Sequence, residues 1–193
     1  MFDSKPALNF SSPFELLVAV ILSAQCTDER VNKVTAKLFK EYNTPEKMLL
    51  LSNEQLQSYI FSCGLYKNKA KNILLTSKML VEDYGGQVPS DLEGLQNLAG
   101  VGRKTANVVY SVAFNGDAIA VDTHVFRVSK RIGFSKASTP LGVEKDLMGH
   151  IQKKDWSKAH HYLIYLGRSY CKAKNPDCVA CPISNYCSRK IKR

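Results

Sequence analysis

Apolar residues recur at helical spacing along most of the chain, and helix start signals stand ahead of nearly every such stretch. Ser12-Pro13-Phe14-Glu15 offers an N-cap serine, a proline for the first helical position and a glutamate to close a capping box. The run behind it, Leu16 to Ala24, is mostly apolar and predicts a helix buried on most sides. Thr27 or Asp28 can cap the next helix, in which Val31, Val34, Leu38 and Phe39 share one face. Thr44-Pro45-Glu46 opens another, and Ser52 with Gln55 forms a second capping box, with Gly64 placed to stop that helix. A helical pattern runs from Lys67 to Tyr84 and meets Gly85-Gly86. Ser90 with Glu93 then opens a short helix ending near Ala99. No stretch alternates as a strand would, and no repeat or low-complexity segment interrupts the pattern. The expected fold class is all-α.

Composition changes this picture little, but charge changes it more. Of 193 residues, 45% are hydrophobic and 23% charged, ordinary values for a globular chain able to form one domain or two lobes. The net charge is +10, and residues 151–193 hold ten Lys/Arg against only Asp155 and Asp177. A segment this basic suits a polyanion, with nucleic acid the leading candidate and a solvated, solubilising face the alternative. The N-terminus shows no signal-peptide pattern, and the longest apolar run, Leu16–Leu22, is far too short to span a membrane. No membrane partner is therefore expected. Six cysteines in a chain without a secretory signal point to metal or redox chemistry before disulfides.

Three motifs carry the chemistry. In Leu98-Ala99-Gly100-Val101-Gly102-Arg103-Lys104-Thr105-Ala106 a short helix runs into Gly-x-Gly, and a second helix follows at once. The glycines permit a tight hairpin, and the free N–H groups that open the second helix make a phosphate site. Such a helix-hairpin-helix grips DNA backbone without reading bases, and Gly100, Gly102 and Arg103 are its expected contacts. An ordinary interhelical turn is the bland alternative. Next, Asp122 stands ahead of Thr123-His124-Val125-Phe126-Arg127-Val128, placed as an N-cap. An ionised carboxylate at that point can also stabilise a sugar cation or accept a proton. Asp122 follows Lys104 by eighteen residues, with helix and loop between, so the two can face one cleft. His124 reads as a hydrogen-bonded structural residue, and His160 and His161 as packing or DNA-facing groups.

The third motif is the most specific: Cys171, Cys178, Cys181 and Cys187, four thiols within seventeen residues. Four thiolates can wrap one soft metal centre. Structural zinc is the alternative, although it usually brings two Cys-x2–4-Cys knuckles and one occurs here. Cys26 and Cys63 lie in apolar helical contexts and read as buried, unreactive side chains.

Together these motifs, in this order and spacing, resemble the endonuclease III family of DNA glycosylases. The resemblance runs from about Leu8 to Cys187 and includes Asn9 to Leu17, Leu22-Ser23-Ala24-Gln25, Gly64-Leu65-Tyr66, the hairpin and Val121-Asp122-Thr123-His124. It implies two helical lobes with DNA between them: a six-helix domain over residues 10–116 with the hairpin, and an iron–sulfur domain from residues 1–9 and 117–193. It implies a [4Fe–4S] cluster on Cys171, Cys178, Cys181 and Cys187. Lys104 is the implied nucleophile, forming a Schiff base with the sugar before β-elimination, and Asp122 its catalytic partner. Gln25 and Leu65 match the residues that fill the gap left by a flipped nucleotide. Lys172 and Lys174, between the first two thiols, are further expected DNA contacts. The implied enzyme is a bifunctional glycosylase and AP lyase. It acts as a monomer on double-stranded DNA carrying oxidised pyrimidines or abasic sites, in the bacterial cytoplasm and on the nucleoid.

Two departures stand out. About ten residues precede the matching segment, too few for the further helix that the family usually packs in its cluster domain. Ala99 replaces a proline usual in the lead of the hairpin. An adenine-removing relative lacks the hairpin lysine and carries a carboxylate in the helix before Gln25, whereas Val18–Leu22 is wholly apolar here. A non-catalytic hairpin protein with a structural metal is the rival from another class.

Overall fold

A computed structural model describes residues 7–188, and among them there are helices and connecting loops but no strand. They divide into two compact units, at Gly116 and Asp117.

The first unit contains α1 (Pro13–Ser23), α2 (Asp28–Leu38), α3 (Pro45–Met48), α4 (Asn53–Ile60), α5 (Tyr66–Asp83), α6 (Leu92–Asn97) and α7 (Arg103–Ala113). Helix α1 is its axis: every residue from Phe14 to Leu22 is buried, and α7, α2 and α5 pack around it. This is the result of an apolar run with no polar face to keep wet. The Ser12 hydroxyl accepts from Glu15 N–H, whereas the Glu15 carboxylate accepts from Ser11 N–H at 2.6 Å, so the reciprocal bond reaches one residue further back than expected. Thr27 caps α2, Thr44 caps α3, and Ser52 with Gln55 forms the full capping box of α4.

Three expectations are corrected. Asp91, not Ser90, caps α6, accepting from Gly94 N–H at 2.8 Å. Helix α4 ends at Ile60, before Gly64, and the left-handed residue is Leu65, at φ 59°. A Cβ on Gly64 would stand 3.1 Å from the Gln25 carbonyl oxygen, a tight contact that favours glycine. Finally, Ala7 and Asn9, expected with the cluster domain, belong to the first unit. Asn32 of α2 holds both, accepting from Asn9 N–H at 2.9 Å and donating to Ala7 O at 2.8 Å. The rest of the segment before Ala7, and Arg189, Lys190, Lys192 and Arg193 at the other end, lie outside the described residues.

The second unit holds α8 (Thr123–Ile132), α9 (Pro140–His150) and α10 (Trp156–Ser169). Helices α8 and α10 pack along much of their length around Val125, Val128, Leu163 and Leu166, and α9 adds Val143 and Leu147. Beyond α10 the chain runs as a loop, Tyr170 to Ser188, broken by one 3₁₀ turn at Ser184–Tyr186. Among the described residues no helix is long and apolar enough to cross a membrane.

Candidate active site and iron–sulfur centre

In the first unit the hairpin joins α6 to α7. Gly100 takes φ +72°, and a Cβ there would drive into the Asn72 side chain at 2.7–2.9 Å, so glycine is needed for conformation and for room. Gly102 differs: its backbone is extended and a Cβ would meet nothing. It serves as the N-cap of α7, and no side chain caps that end. The first turn of α7, with Arg103 and Lys104, is therefore open toward an incoming anion. Both side chains are exposed. The missing proline at Ala99 is offset by α5, whose Thr76 hydroxyl donates to Ala99 O at 2.7 Å. Leu98 and Val101 are buried beneath the turn.

Gln25 and Leu65 sit on two loops of the same unit, both exposed and both left-handed at φ 54° and 59°. Neither residue gains conformationally from that backbone, so surrounding contacts must hold it. Lys69 supplies one. It is buried, and its ammonium donates to Leu22 O at 2.9 Å and Ala24 O at 2.6 Å, closing the C-terminus of α1 next to Gln25. Burial lowers its pKa, while the nearby Cys63 and Cys26 push the other way. Sequence reasoning missed Lys69, because a lysine in a polar helical stretch gives no sign of facing inward. Burial, and then Cys26, push the Cys63 thiol up to about 11, which fits an inert buried group. Cys26 is only half-buried, against expectation.

In the second unit Asp122 caps α8, its Oδ1 accepting from Val125 N–H at 2.7 Å. Lys104 lies in the first unit and Asp122 in the second. His124 is structural in setting: its Nδ1 lies 3.2 Å from the Arg127 guanidinium, and its Cβ would crowd any side chain at Gly167. His160 Nδ1 bonds Ala120 O at 2.7 Å and its ring meets His161 edge-on, so His160 packs within the unit. Burial lowers the pKa of His161.

All four loop thiols line one cavity, with Ile132 and Leu166 of the hydrophobic core in its wall. None is in a disulfide. Among the described residues no three His, Cys, Asp or Glu side chains converge on a point that would hold a single ion. Thiolates on one tetrahedral zinc would stand about 3.8 Å apart, given Zn–S bonds near 2.3 Å. A [4Fe–4S] cluster instead takes each thiolate on a different iron, around a larger body. Four thiols spread round an apolar cavity fit that group. Two arginines on successive turns of α8 hold the loop in place. Arg127 donates to Gly167 O at 2.9 Å and Cys171 O at 3.0 Å. Arg131 donates to Lys172 O at 2.6 Å and Ala173 O at 3.1 Å, with one N–H 3.6 Å from Cys171 Sγ. These contacts satisfy one carbonyl at the open end of α10, that of Gly167, and three in the loop beyond it. The i, i+4 arginines were visible in the sequence, but nothing there said what they would hold. Lys172 and Lys174 remain exposed on the loop.

Comparison with known proteins decides the family. Residues 18–153 match the HhH-GPD superfamily of base excision DNA repair proteins, and residues 171–187 match the iron–sulfur binding domain of endonuclease III. Endonuclease III of Bacillus subtilis is 58% identical over 184 residues, covering 95% of this chain and 84% of that protein. This chain belongs to the endonuclease III family. The Escherichia coli endonuclease III is 49% identical over 185 residues, 96% of this chain and 88% of that one. A solved structure of a trapped endonuclease III–DNA covalent intermediate matches with a TM-score of 0.92 at 53% identity, over 97% of this chain and 88% of that chain. A thermostable thymine-DNA glycosylase matches with a TM-score of 0.83 at 25% identity, over 95% and 87%. As a member of this family, the protein is a bifunctional DNA glycosylase and AP lyase of base excision repair, and it carries a [4Fe–4S] cluster.

Proposed function

We propose that this enzyme removes oxidised pyrimidines from duplex DNA, with Lys104 as nucleophile and Asp122 as its catalytic partner. The observation that supports this most is the first turn of α7. It follows a glycine hairpin seated on Asn72 and Thr76, lacks a side-chain cap, and presents an exposed Lys104. A base within the duplex is out of reach, so the nucleotide must leave the stack, at a cost of a few kcal/mol that is smallest for damaged bases. Gln25 and Leu65, held in left-handed backbone on neighbouring loops, fill the gap it leaves. The hairpin N–H groups and Arg103 grip the phosphate backbone.

Lys104, once neutral, forms a bond from its amine to the anomeric carbon as the bond to the base breaks and the base departs with its electron pair. The sugar ring opens to the Schiff base. Loss of a C2′ proton then expels the 3′ phosphate, and water releases the lysine. Asp122 stabilises the sugar cation or accepts a proton during these steps. Borohydride tests the scheme, because it reduces a Schiff base to a stable amine. The protein should be trapped on duplex DNA bearing an abasic site, and digestion should locate the adduct at Lys104. A non-catalytic hairpin protein would form no adduct. An adenine-removing activity is disfavoured by Lys104 and by the buried, wholly apolar Val18–Leu22.

Cys171, Cys178, Cys181 and Cys187 are the proposed ligands. The cluster supplies a fixed centre for the loop around it. Purified protein should be brown, with about four irons per chain. Cys181→Ser should lower the iron content, disorder the loop and weaken DNA binding. Stoichiometric zinc without iron after anaerobic purification would overturn this assignment.

Lys172 and Lys174 lie on that loop and are proposed to touch phosphates. Each neutralised phosphate contributes about −0.9 to the slope of log affinity against log salt. Reversing both charges should flatten the slope for undamaged DNA while leaving lesion preference in place. The enzyme is proposed to act as a monomer in the bacterial cytoplasm, on the nucleoid.

A further inference from the structure

The first unit carries a second basic feature that the proposed chemistry does not use. A groove runs between α2 and the end of α4, with Arg30, Lys33 and Lys37 on one side and Tyr59 and Phe61 on the other. The three cations occupy i, i+3 and i+7 of α2, so they form one stripe. At 1.5 Å per residue the stripe spans about 10 Å, the axial rise over which one strand of a duplex carries about three phosphates. Glu29 is the one acid in the groove, and it pairs with Lys33 at 2.8 Å. Both partners are more than 70% exposed, so the pair is weak and yields readily to a phosphate. Phe61 is 69% exposed, a large apolar ring left in water beside the cations. Cations along one wall and an aromatic platform on the other are what a nucleic-acid strand with an unstacked base requires.

Position says which strand. The groove opens beside the two left-handed loops: Thr27 lies two residues beyond Gln25, and Ser62 three before Leu65. The loops touch, since a Cβ on Gly64 would stand 3.1 Å from Gln25 O. The hairpin is seated on α5 at Asn72 and Thr76, two to three turns along from Leu65. With the hairpin and Lys104 given to the damaged strand, the groove beside these loops is left for its complement.

We propose that the α2–α4 groove docks the strand opposite the damaged nucleotide: Arg30, Lys33 and Lys37 take its phosphates, and Phe61 stacks on the base that has lost its partner. The proposal rests on the base-flipping role given above to Gln25 and Leu65. Its test compares wild type with Arg30→Ala/Lys33→Ala/Lys37→Ala on duplexes bearing a stable abasic analogue, with three successive phosphates opposite the lesion replaced by neutral methylphosphonates. Wild type should lose affinity at least about tenfold on the neutralised duplex, with a salt slope shallower by about 2.7. The triple variant should bind the unmodified duplex as weakly as wild type binds the neutralised one, and lose nothing further. Such non-additivity identifies contact between these groups. Phe61→Ala should weaken binding to the abasic duplex about tenfold and binding to intact duplex far less. Equal losses in both proteins, or coupling to phosphates of the damaged strand instead, would overturn the proposal. Borohydride trapping of wild type on an abasic duplex reads the catalytic assignment separately, so the two can fail independently.

Discussion

Replacing Lys104 with glutamine is expected to abolish borohydride trapping and strand cleavage together, leaving less than about one part in a thousand of wild-type activity. Both outcomes pass through the same bond between the lysine amine and the sugar, and an amide nitrogen cannot form it. Glutamine keeps most of the side-chain length and has ample helix propensity, so α7 should form as before. The hairpin holds its shape through Gly100 against Asn72 and through Thr76 on Ala99 O, and neither contact involves Lys104. Binding to damaged duplex should therefore persist, within the few-fold loss that one surface cation explains. A variant that binds but does not trap isolates chemistry from recognition. If Lys104→Gln still trapped at the wild-type rate, another amine would be the nucleophile.

Asp122→Asn should slow base removal by about 10²- to 10⁴-fold, the range expected when a positioned acid–base or electrostatic partner is lost. The substitution is chosen for what it preserves. Asp122 accepts from Val125 N–H at 2.7 Å as the cap of α8, and asparagine caps about equally well. Stability should change by a few tenths of a kcal/mol, whereas Asp122→Ala would cost about 1 kcal/mol through the lost cap. Rates of base excision, measured under single turnover alongside thermal unfolding of both variants, separate the two roles. Near-wild-type excision by Asp122→Asn would leave the residue a cap and nothing more. A pre-formed abasic site needs no base removal, so trapping on it should suffer less than excision does.

Much of this protein was legible in order of residues alone. Helix positions follow from periodicity, and several starts from local chemistry: Thr44-Pro45, Ser52 with Gln55 and Asp122 each satisfy N–H groups only three residues away. Interactions that short are encoded in adjacent positions and need no partner from elsewhere in the chain. The hairpin and the four-thiol loop were visible for the same reason, each being compact in sequence. Where such local signals competed, the sequence could not choose. Both Ser90 and Asp91 can cap, and only the path of the chain into α6 gave the role to Asp91.

What the tertiary structure decided was pairing at a distance. Lys69 reads as one more surface cation, yet it is buried and closes α1 forty-five residues earlier, beside Gln25. Arg127 and Arg131 stand one turn apart on α8, and they gather the carbonyls that open the cysteine loop some forty residues on. Gly64 looks like a helix stop, but it stands where a Cβ would press on the Gln25 backbone at 3.1 Å. Each case turns on which surface a side chain meets, and that depends on how the helices pack. The packing is set by the summed burial of the whole unit, so no window of neighbouring residues contains it. Sequence by itself determined the helices, the chemistry-bearing motifs and the family they resemble. Packing decided which cations serve the protein's own backbone and which remain exposed.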